Sequence, residues 1–256
     1  MISTTFDHVV VTVFDLEQAI ADFSDEGFEV VRGGAHGSTE MAMVLFADGT
    51  YVELISMRSP MLRRILRLAG RAGLLRRLLE KKSDVYRRLT SWFGRSPGPV
   101  DWCVRVVSLD ETLAHWKNIG IPCLESSAFQ RTRPNGQIAR WRLGAAFDNT
   151  LPFVIEDSTD VRIRVPDDLV PSHPNRVLGI RCLHVSVADP KNLTTQFEKA
   201  FSWVATDKQA DFEFGPTRVQ LHQLNSDDVP LKLELSCNGP DRDLNIANMQ
   251  IRLVGV

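Results

Sequence analysis

The chain is poor in cysteine, with only Cys103, Cys123, Cys182 and Cys237, and no two form a Cys-x-x-Cys pair. Such wide spacing reads as reduced thiols in a cytoplasmic protein. The opening residues Met1-Ile2-Ser3-Thr4-Thr5 lack a basic segment followed by an apolar core, so no secretory signal is expected. No apolar run approaches the roughly 20 residues that cross a bilayer, so no transmembrane segment is expected. A glycine-rich phosphate loop, a serine nucleophile elbow and a Cys–His pair at recognisable spacing are all missing. Net charge at pH 7 is −2, which gives no reason to expect a nucleic-acid partner. What remains is an ordinary globular composition in 256 residues, enough to bury a substantial core.

What is present is a repeat. Residues 6–13, Phe-Asp-His-Val-Val-Val-Thr-Val, form a β-branched run with strand character. Leu16, Ala19, Ile20 and Phe23 follow at helical spacing, and Gly27 ends that helix. Strands are predicted at 28–31, 40–46 and 50–56, giving a β-α-β-β-β order. After the linker Ser96-Pro97-Gly98-Pro99 the order recurs. Residues 100–107 repeat the first strand, and Leu109, Thr112, Leu113 and Trp116 repeat the helical stripe. Strands at 121–125, 137–143 and 151–156 complete the second module. This internal repeat is the strongest structural signal in the chain. A connector covers 157–176. A third, divergent unit is predicted over 178–256, where Leu231-Lys232-Leu233-Glu234-Leu235-Ser236 echoes Val52-Glu53-Leu54-Ile55-Ser56.

Residues 59–95 stand apart. They hold nine arginines and two lysines against Glu80 and Asp84, so the rest of the chain is net acidic. Leu62, Ile65, Leu66 and Ala69 recur at helical spacing, as do Leu74, Leu75, Leu78 and Leu79, with Gly70 and Gly73 between them. Two basic amphipathic helices are predicted. The plain reading is a lid or dimer arm with a solvated basic face. The sharper one is contact with an anionic lipid surface or a large anionic substrate.

Side chains alternate along a strand, so His8 shares a face with Val10 and Thr12, and Glu53 shares one with Tyr51 and Ile55. A histidine and a carboxylate brought together by strand pairing are suitable metal ligands, although a core histidine and a rim salt bridge account for them equally simply. Glu156 occupies the matching position of the second module, or is simply an exposed strand-end carboxylate. His36, in the Gly33-Gly34-Ala35-His36-Gly37-Ser38 turn, is a candidate acid/base group or ligand. Arg140 and Arg142 share one strand face, and one of them inside a cavity would hold a carboxylate or phosphate, unless it pairs with the acidic remainder. Tyr51 and Trp102 are candidate substrate contacts. His184 and Glu234 repeat the His–Glu pairing, but with His184 displaced along its strand they read as structural, as do His115, His173 and His222.

The residues Asp7-His8-Val9-Val10, Asp15-Leu16, Gly33-Gly34-Ala35-His36 and Tyr51-Val52-Glu53-Leu54 resemble the glyoxalase-like branch of the vicinal-oxygen-chelate superfamily. In the second module, Arg131-Thr132-Arg133-Pro134-Asn135-Gly136, Arg140-Trp141-Arg142-Leu143 and 151–156 are similar to the same family. The resemblance implies an α+β fold of paired βαβββ modules, at 6–56 and 100–157, forming curved half-open barrels. The basic helical segment is inserted at 59–95 and the divergent unit follows at 178–256. It also implies a divalent metal, zinc, manganese, nickel or iron, held by two ligands from each module. His8, Glu53 and Glu156 match three of the four positions, but the fourth falls at Trp102, which cannot ligate. Water or His36 would have to complete the shell.

Three functions follow as expectations. One is a metal-dependent enzyme of glyoxalase, lyase or dioxygenase type acting on a small organic acid or conjugate. Another is a metal-free protein that binds and sequesters a small molecule. The third is a membrane-surface or scaffold protein working through the basic insert. A homodimer is expected.

Overall fold

The structure, a computed structural model, describes residues 4–133, 135–149, 151–166, 172–201, 211–225 and 229–256. Pro134 of the expected turn, residues 167–171 of the connector and the side chain of His36 lie outside the described residues.

The first module is β1 (Thr4–Thr12), α1 (Leu16–Asp25), β2 (Val31–His36), β3 (Thr39–Leu45) and β4 (Tyr51–Met57). Asp15 caps α1 by accepting from the Gln18 amide, and the helix buries Leu16, Ala19 and Phe23. Gly27 ends it with φ +80, a conformation that suits glycine alone, and its bare Cα lies where a side chain would press on Asn175. Three helices follow, α2 (Pro60–Arg71), α3 (Leu74–Leu79) and α4 (Tyr86–Trp92). The second module is β5 (Gly98–Val106), α5 (Leu109–Asn118), β6 (Ser127–Thr132), β7 (Ile138–Gly144) and β8 (Phe153–Asp157).

These eight strands make one sheet in the order β2-β3-β4-β1-β5-β8-β7-β6. In each module the first strand runs parallel to the last, and β1 meets β5 antiparallel at the seam. The edge strands β2 and β6 approach each other, so the sheet curls almost into a barrel and encloses a cup. The fold is α+β, built of paired βαβββ modules with curved sheets.

Beyond a short helix α6 (Val161–Arg164), the remaining elements are β9 (Val177–Val187), α7 (Pro190–Phe201), β10 (Asp211–Phe214), β11 (Thr217–Gln223), β12 (Leu231–Cys237), β13 (Arg242–Ile246) and β14 (Met249–Gly255). They form a second sheet ordered β10-β11-β9-β12-β14-β13. Here too the parallel pairs β9–β11 and β12–β14 flank an antiparallel β9–β12 seam. The sheet thus reads as two shortened modules, βαββ and then βββ.

The two sheets share a core. Trp102, on the outer face of β5, stacks on Phe6 at 5.8 Å and packs against Phe197 and Phe214 of the second sheet at 5.9 and 6.3 Å. His173 pins the connector between them. Its Nδ1 accepts from the Glu29 amide at 3.1 Å and its Nε2 donates to the Leu45 carbonyl at 2.9 Å. Only the neutral ring can do both.

The insert contains a helix that its hydrophobic spacing did not announce. Gly73, with φ +69, breaks the chain between α2 and α3. Gly70 instead stays within α2, where a Cβ would come within 2.1 Å of the Gly94 carbonyl oxygen. The added helix α4 closes one side of the cup. Arg88 donates to both oxygens of Asp101 at 2.6 and 2.7 Å and to the Leu151 carbonyl at 2.8 Å, and Trp92 Nε1 donates to Asp101 at 2.8 Å. This buried ion pair, with both Asp101 oxygens engaged and Arg88 Nη1 left without a partner among the described residues, holds α4 as part of the cup wall.

Candidate functional site

Alternation along β1 sends Val9 and Val11 toward the layer between the sheets and leaves His8 and Val10 to the cup. A register shift between Phe6 and His8 lets the consecutive residues Asp7 and His8 join one cluster. His8 Nδ1 and Asp7 Oδ1 are 2.6 Å apart. On the other side of the ring, His8 Nε2 lies 3.4 Å from Glu53 Oε2. Tyr51 stacks on the imidazole at 4.5 Å, and the edge of Phe153 meets it at 5.5 Å.

Asp7 is fully buried and held by cations. Arg164 donates to both of its oxygens at 2.9 and 2.8 Å, and Arg105 Nε donates at 2.8 Å. Burial alone would push the Asp7 pKa up, but Arg164, aided by His8, holds the carboxyl well below its usual range. An ionised carboxylate only accepts, so the proton between Asp7 and His8 sits on Nδ1. Burial also opposes charge on His8, yet the hydrogen bonds to Asp7 and Glu53 outweigh it and raise its pKa above the ordinary value. The result is a carboxylate–imidazole–carboxylate chain in which Asp7 orients the ring and Nε2 faces Glu53.

The cup around this chain is mostly apolar. Ile55, Phe129, Trp141, Leu143 and Phe153 line it, Leu89 and Trp92 of α4 close it, and the cavity measures about 130 Å³. Two arginines line it. Arg164 is taken up by Asp7 and Asp157, which leaves Arg131. Arg131 on β6 is buried, gives Nη2 to the Arg164 carbonyl at 2.7 Å and places Nη1 3.1 Å from Met41 Sδ. Its Nε has no hydrogen-bond partner among the described residues. Burial pulls the Arg131 pKa down, the sign of a guanidinium short of counter-charge. An anionic group in the cup would supply both the missing acceptor and the missing charge.

The other residues singled out from the sequence lie elsewhere. Glu156 points away from the cup, accepts from the Leu109 amide at 2.9 Å and lies 3.7 Å from Arg142. It does not join His8 and Glu53. The strand alternates as the sequence implied, but Phe153 and Ile155 take the inner face. Arg142 sits on the same outer side, bidentate to Asp110 at 2.9 and 2.6 Å, and Arg140 is exposed. Trp141 between them faces the cup instead, so neither arginine can hold a ligand there. Trp102 is outside too, while its neighbour Cys103 faces inward opposite His8. Tyr51 does line the cup, where its hydroxyl meets Arg164 at 2.8 Å. His36 ends β2, paired with Thr39.

Asp7, Arg105, Arg131 and Arg164 escaped the sequence reading. Arg131 carried a signal, since Phe129 and Arg131 are buried at period two while Gln130 and Thr132 are exposed. Arg164 carried none, because it lies in the connector, where no periodicity marks its helix.

A divalent metal would need three or four donors. The spacing of His8 Nε2 and Glu53 Oε2 suits two ligands of one ion, but the second module adds no third. Among the described residues, the donors close enough to hold an ion together are Asp7, His8 and Cys103. Those donors are already engaged. Asp7 accepts from two arginines and His8, and burial pushes the Cys103 thiol pKa well up, away from the thiolate a metal requires. A dication there would also face the guanidiniums of Arg164 and Arg105. Among the described residues, the donor set does not fit a resident divalent metal.

The second sheet carries a counterpart. Glu53 pairs in register with Val10, two residues past His8, and His222 pairs with Ser186, two past His184. Three residues read from the sequence as structural therefore meet. His184 Nδ1 lies 2.9 Å from His222 Nε2, and its Nε2 lies 3.3 Å from Glu234 Oε1. They line an open cavity of about 650 Å³.

A family model described as a glyoxalase-like domain matches residues 6–201. No curated protein matches the chain. Among solved structures, a hypothetical protein from Staphylococcus aureus aligns over 99% of both chains with TM-score 0.76 at 12% identity. A mutant of 4-hydroxymandelate synthase from Streptomyces coelicolor aligns over 92% of this chain and 71% of its own, with TM-score 0.56 at 11% identity. Methylmalonyl-CoA epimerase from Mycobacterium tuberculosis aligns over 60% of this chain and 86% of its own, with TM-score 0.38 at 16% identity. At these identities the first two show a likeness of fold.

Proposed function

Since the chain belongs to the glyoxalase-like domain family of the vicinal-oxygen-chelate superfamily, whose paired modules enclose a small-molecule cup, we propose that it is an enzyme that moves a proton on a small organic acid bound in that cup. The observation that carries this reading is the Asp7–His8–Glu53 chain, whose His8 and Glu53 line one cavity with the under-partnered Arg131. Arg131 would take the substrate's anionic group, with Nε as the added donor. The walls Ile55, Phe129, Leu143 and Phe153 would hold its apolar body and exclude water. At about 130 Å³ the space suits a small acid better than a bulky conjugate.

Asp7, held ionised by Arg164, accepts from Nδ1 and so orients the His8 ring with Nε2 toward Glu53. A substrate seated against Nε2 and Glu53 has an acid and a base within hydrogen-bond reach. Removal of a proton from the carbon next to the carboxyl or carbonyl, and its return, is the chemistry such a pair performs. Charge developing on the substrate oxygens would fall near the Arg131 guanidinium. Isomerase, epimerase and lyase outcomes share this step. Because the donor set does not suit a divalent metal, no part of this reading passes through one.

The test is exchange of a substrate proton with solvent. Small carboxylic acids and keto acids that stabilise the protein on heating would be incubated in D₂O and followed by NMR. The wild type is expected to incorporate deuterium beside the carbonyl, and Glu53→Gln is expected to bind the same acid but lose exchange. Binding without exchange by the wild type would turn the assignment to the sequestration reading, which the close packing around His8 also accommodates.

A further inference from the structure

The helix α2 is mounted the wrong way round for a helix that serves only its own core. Its inward face carries Arg63, Leu66, Arg67 and Gly70. The guanidiniums of Arg63 and Arg67 lie over the Phe14 ring at 5.6 and 4.6 Å, Arg63 reaches Ser56 Oγ at 3.3 Å, and Gly70 meets Gly94. No residue of α2 is fully buried. Its outward face carries Met61, Ile65 and Leu68, which recur at i, i+4 and i+7 and are 73%, 50% and 56% exposed. The neighbouring α3 adds Leu74 and Leu78, 53% and 63% exposed, while Leu75 and Leu79 face inward. Half of the exposed large apolar side chains among the described residues fall between Met61 and Tyr86. A soluble protein gains nothing from spending its leucines on water, and a contiguous exposed patch of this kind marks a docking face.

The charges around the stripe say what docks. Arg64, Arg71, Arg76, Arg77, Lys81 and Lys82 are all exposed within the same stretch, where Glu80 is the only exposed carboxylate. A second copy of this chain is a poor occupant, because a two-fold interface would set the same cations face to face. An anionic surface able to accept apolar side chains below its charged layer satisfies both features at once. We propose that α2 and α3 form an interfacial anchor that seats the protein on an anionic lipid surface, with Met61, Ile65, Leu68, Leu74 and Leu78 entering the headgroup boundary and the arginines and lysines pairing with lipid phosphates. The helices lie in the plane of the surface, since neither is long enough to cross it. The cup, closed by α4, stays outside the lipid.

Co-sedimentation of the full chain with vesicles tests this. Phosphatidylcholine vesicles containing phosphatidylglycerol are expected to pull the protein down, pure phosphatidylcholine vesicles far less, and added salt should weaken the first interaction as it screens the cations. Ile65→Glu together with Leu68→Glu should weaken binding to the anionic vesicles by roughly 10- to 100-fold. Both side chains are exposed, so the variant's thermal unfolding should match the wild type. Arg71→Gln with Arg76→Gln should reduce binding to the anionic vesicles and leave the weak neutral-vesicle binding unchanged. The proposal is overturned if the wild type ignores anionic vesicles, or if the glutamate variant binds them as well as the wild type. It is also overturned if the wild type self-associates through this face, with the glutamate variant monomeric and neither binding lipid.

Discussion

At the scale of single residues, the sequence made His8 and Glu53 visible because each stands in a strand whose apolar neighbours fix its face. It did not show their surroundings. Whether Trp141 or its flanking arginines faced the cup depended on which side of β7 was covered by α5, and strand period alone gives two equal answers to that question. Arg131, the cup-lining cation that is not bound to a carboxylate, has a direct test. A methionine there keeps an unbranched apolar stem and removes the guanidinium with its charge. Arg131→Met should cost an anionic ligand about 1.5–3 kcal/mol, the range for charge-assisted hydrogen bonds, or roughly 10- to 150-fold in affinity. A neutral analogue such as the corresponding amide should lose little. Calorimetric titration of both ligands checks this, and an equal loss for both would make Arg131 a structural prop for the Arg164 carbonyl.

At the scale of elements, the helices α1 and α5 were legible because their caps and apolar spacing agree with their tertiary environment, whereas the strands expected after them at 28–31 and 121–125 begin later, at Val31 and Ser127. The helix α4 was not, since its buried members are Arg88 and Trp92, and a buried arginine has no place in an apolar pattern. The connector was equally opaque, yet one residue in it governs a pH response. Burial lowers the His173 pKa from its ordinary value of 6.5, against the opposing bond to the Leu45 carbonyl. A group whose folded pKa is depressed contributes stability that is present in full above the unfolded value. That contribution is lost as the pH falls from about 6.5 through the lower folded value. Protonation would fill Nδ1 and break its bond with the Glu29 amide. Urea unfolding of the wild type should therefore show a midpoint that declines between neutral pH and mildly acidic pH, and His173→Gln should flatten the part of that slope due to this site. An unchanged slope in the variant would move the pH sensitivity to other groups.

At the scale of the whole molecule, the repeat announced two modules and weakened beyond them, because among the described residues each half of the second sheet has one strand fewer and its last half has no helix. The two sheets nonetheless behave as one body in their packing. The apolar faces of β1, β5 and β9 belong to a single buried cluster, which continues from Phe6 and Trp102 into Phe197 and Phe214. Trp102 was aligned from the sequence with a metal-ligand position, and its register neighbour Cys103 takes the inward place instead. Freed from the cup, Trp102 becomes the largest side chain that β5 commits to the layer between the sheets. Its removal should leave a cavity touching both of them. Trp102→Ala is thus expected to destabilise the protein by about 3–5 kcal/mol, the usual cost of losing a buried tryptophan. Because both sheets lose contacts together, calorimetry should show one transition moved to lower temperature, with no early step assigned to residues 177–255 alone. Two separated transitions in the wild type would show that the sheets unfold independently. The shared core would then be a contact between domains, and the cup would owe nothing to the second sheet for its stability.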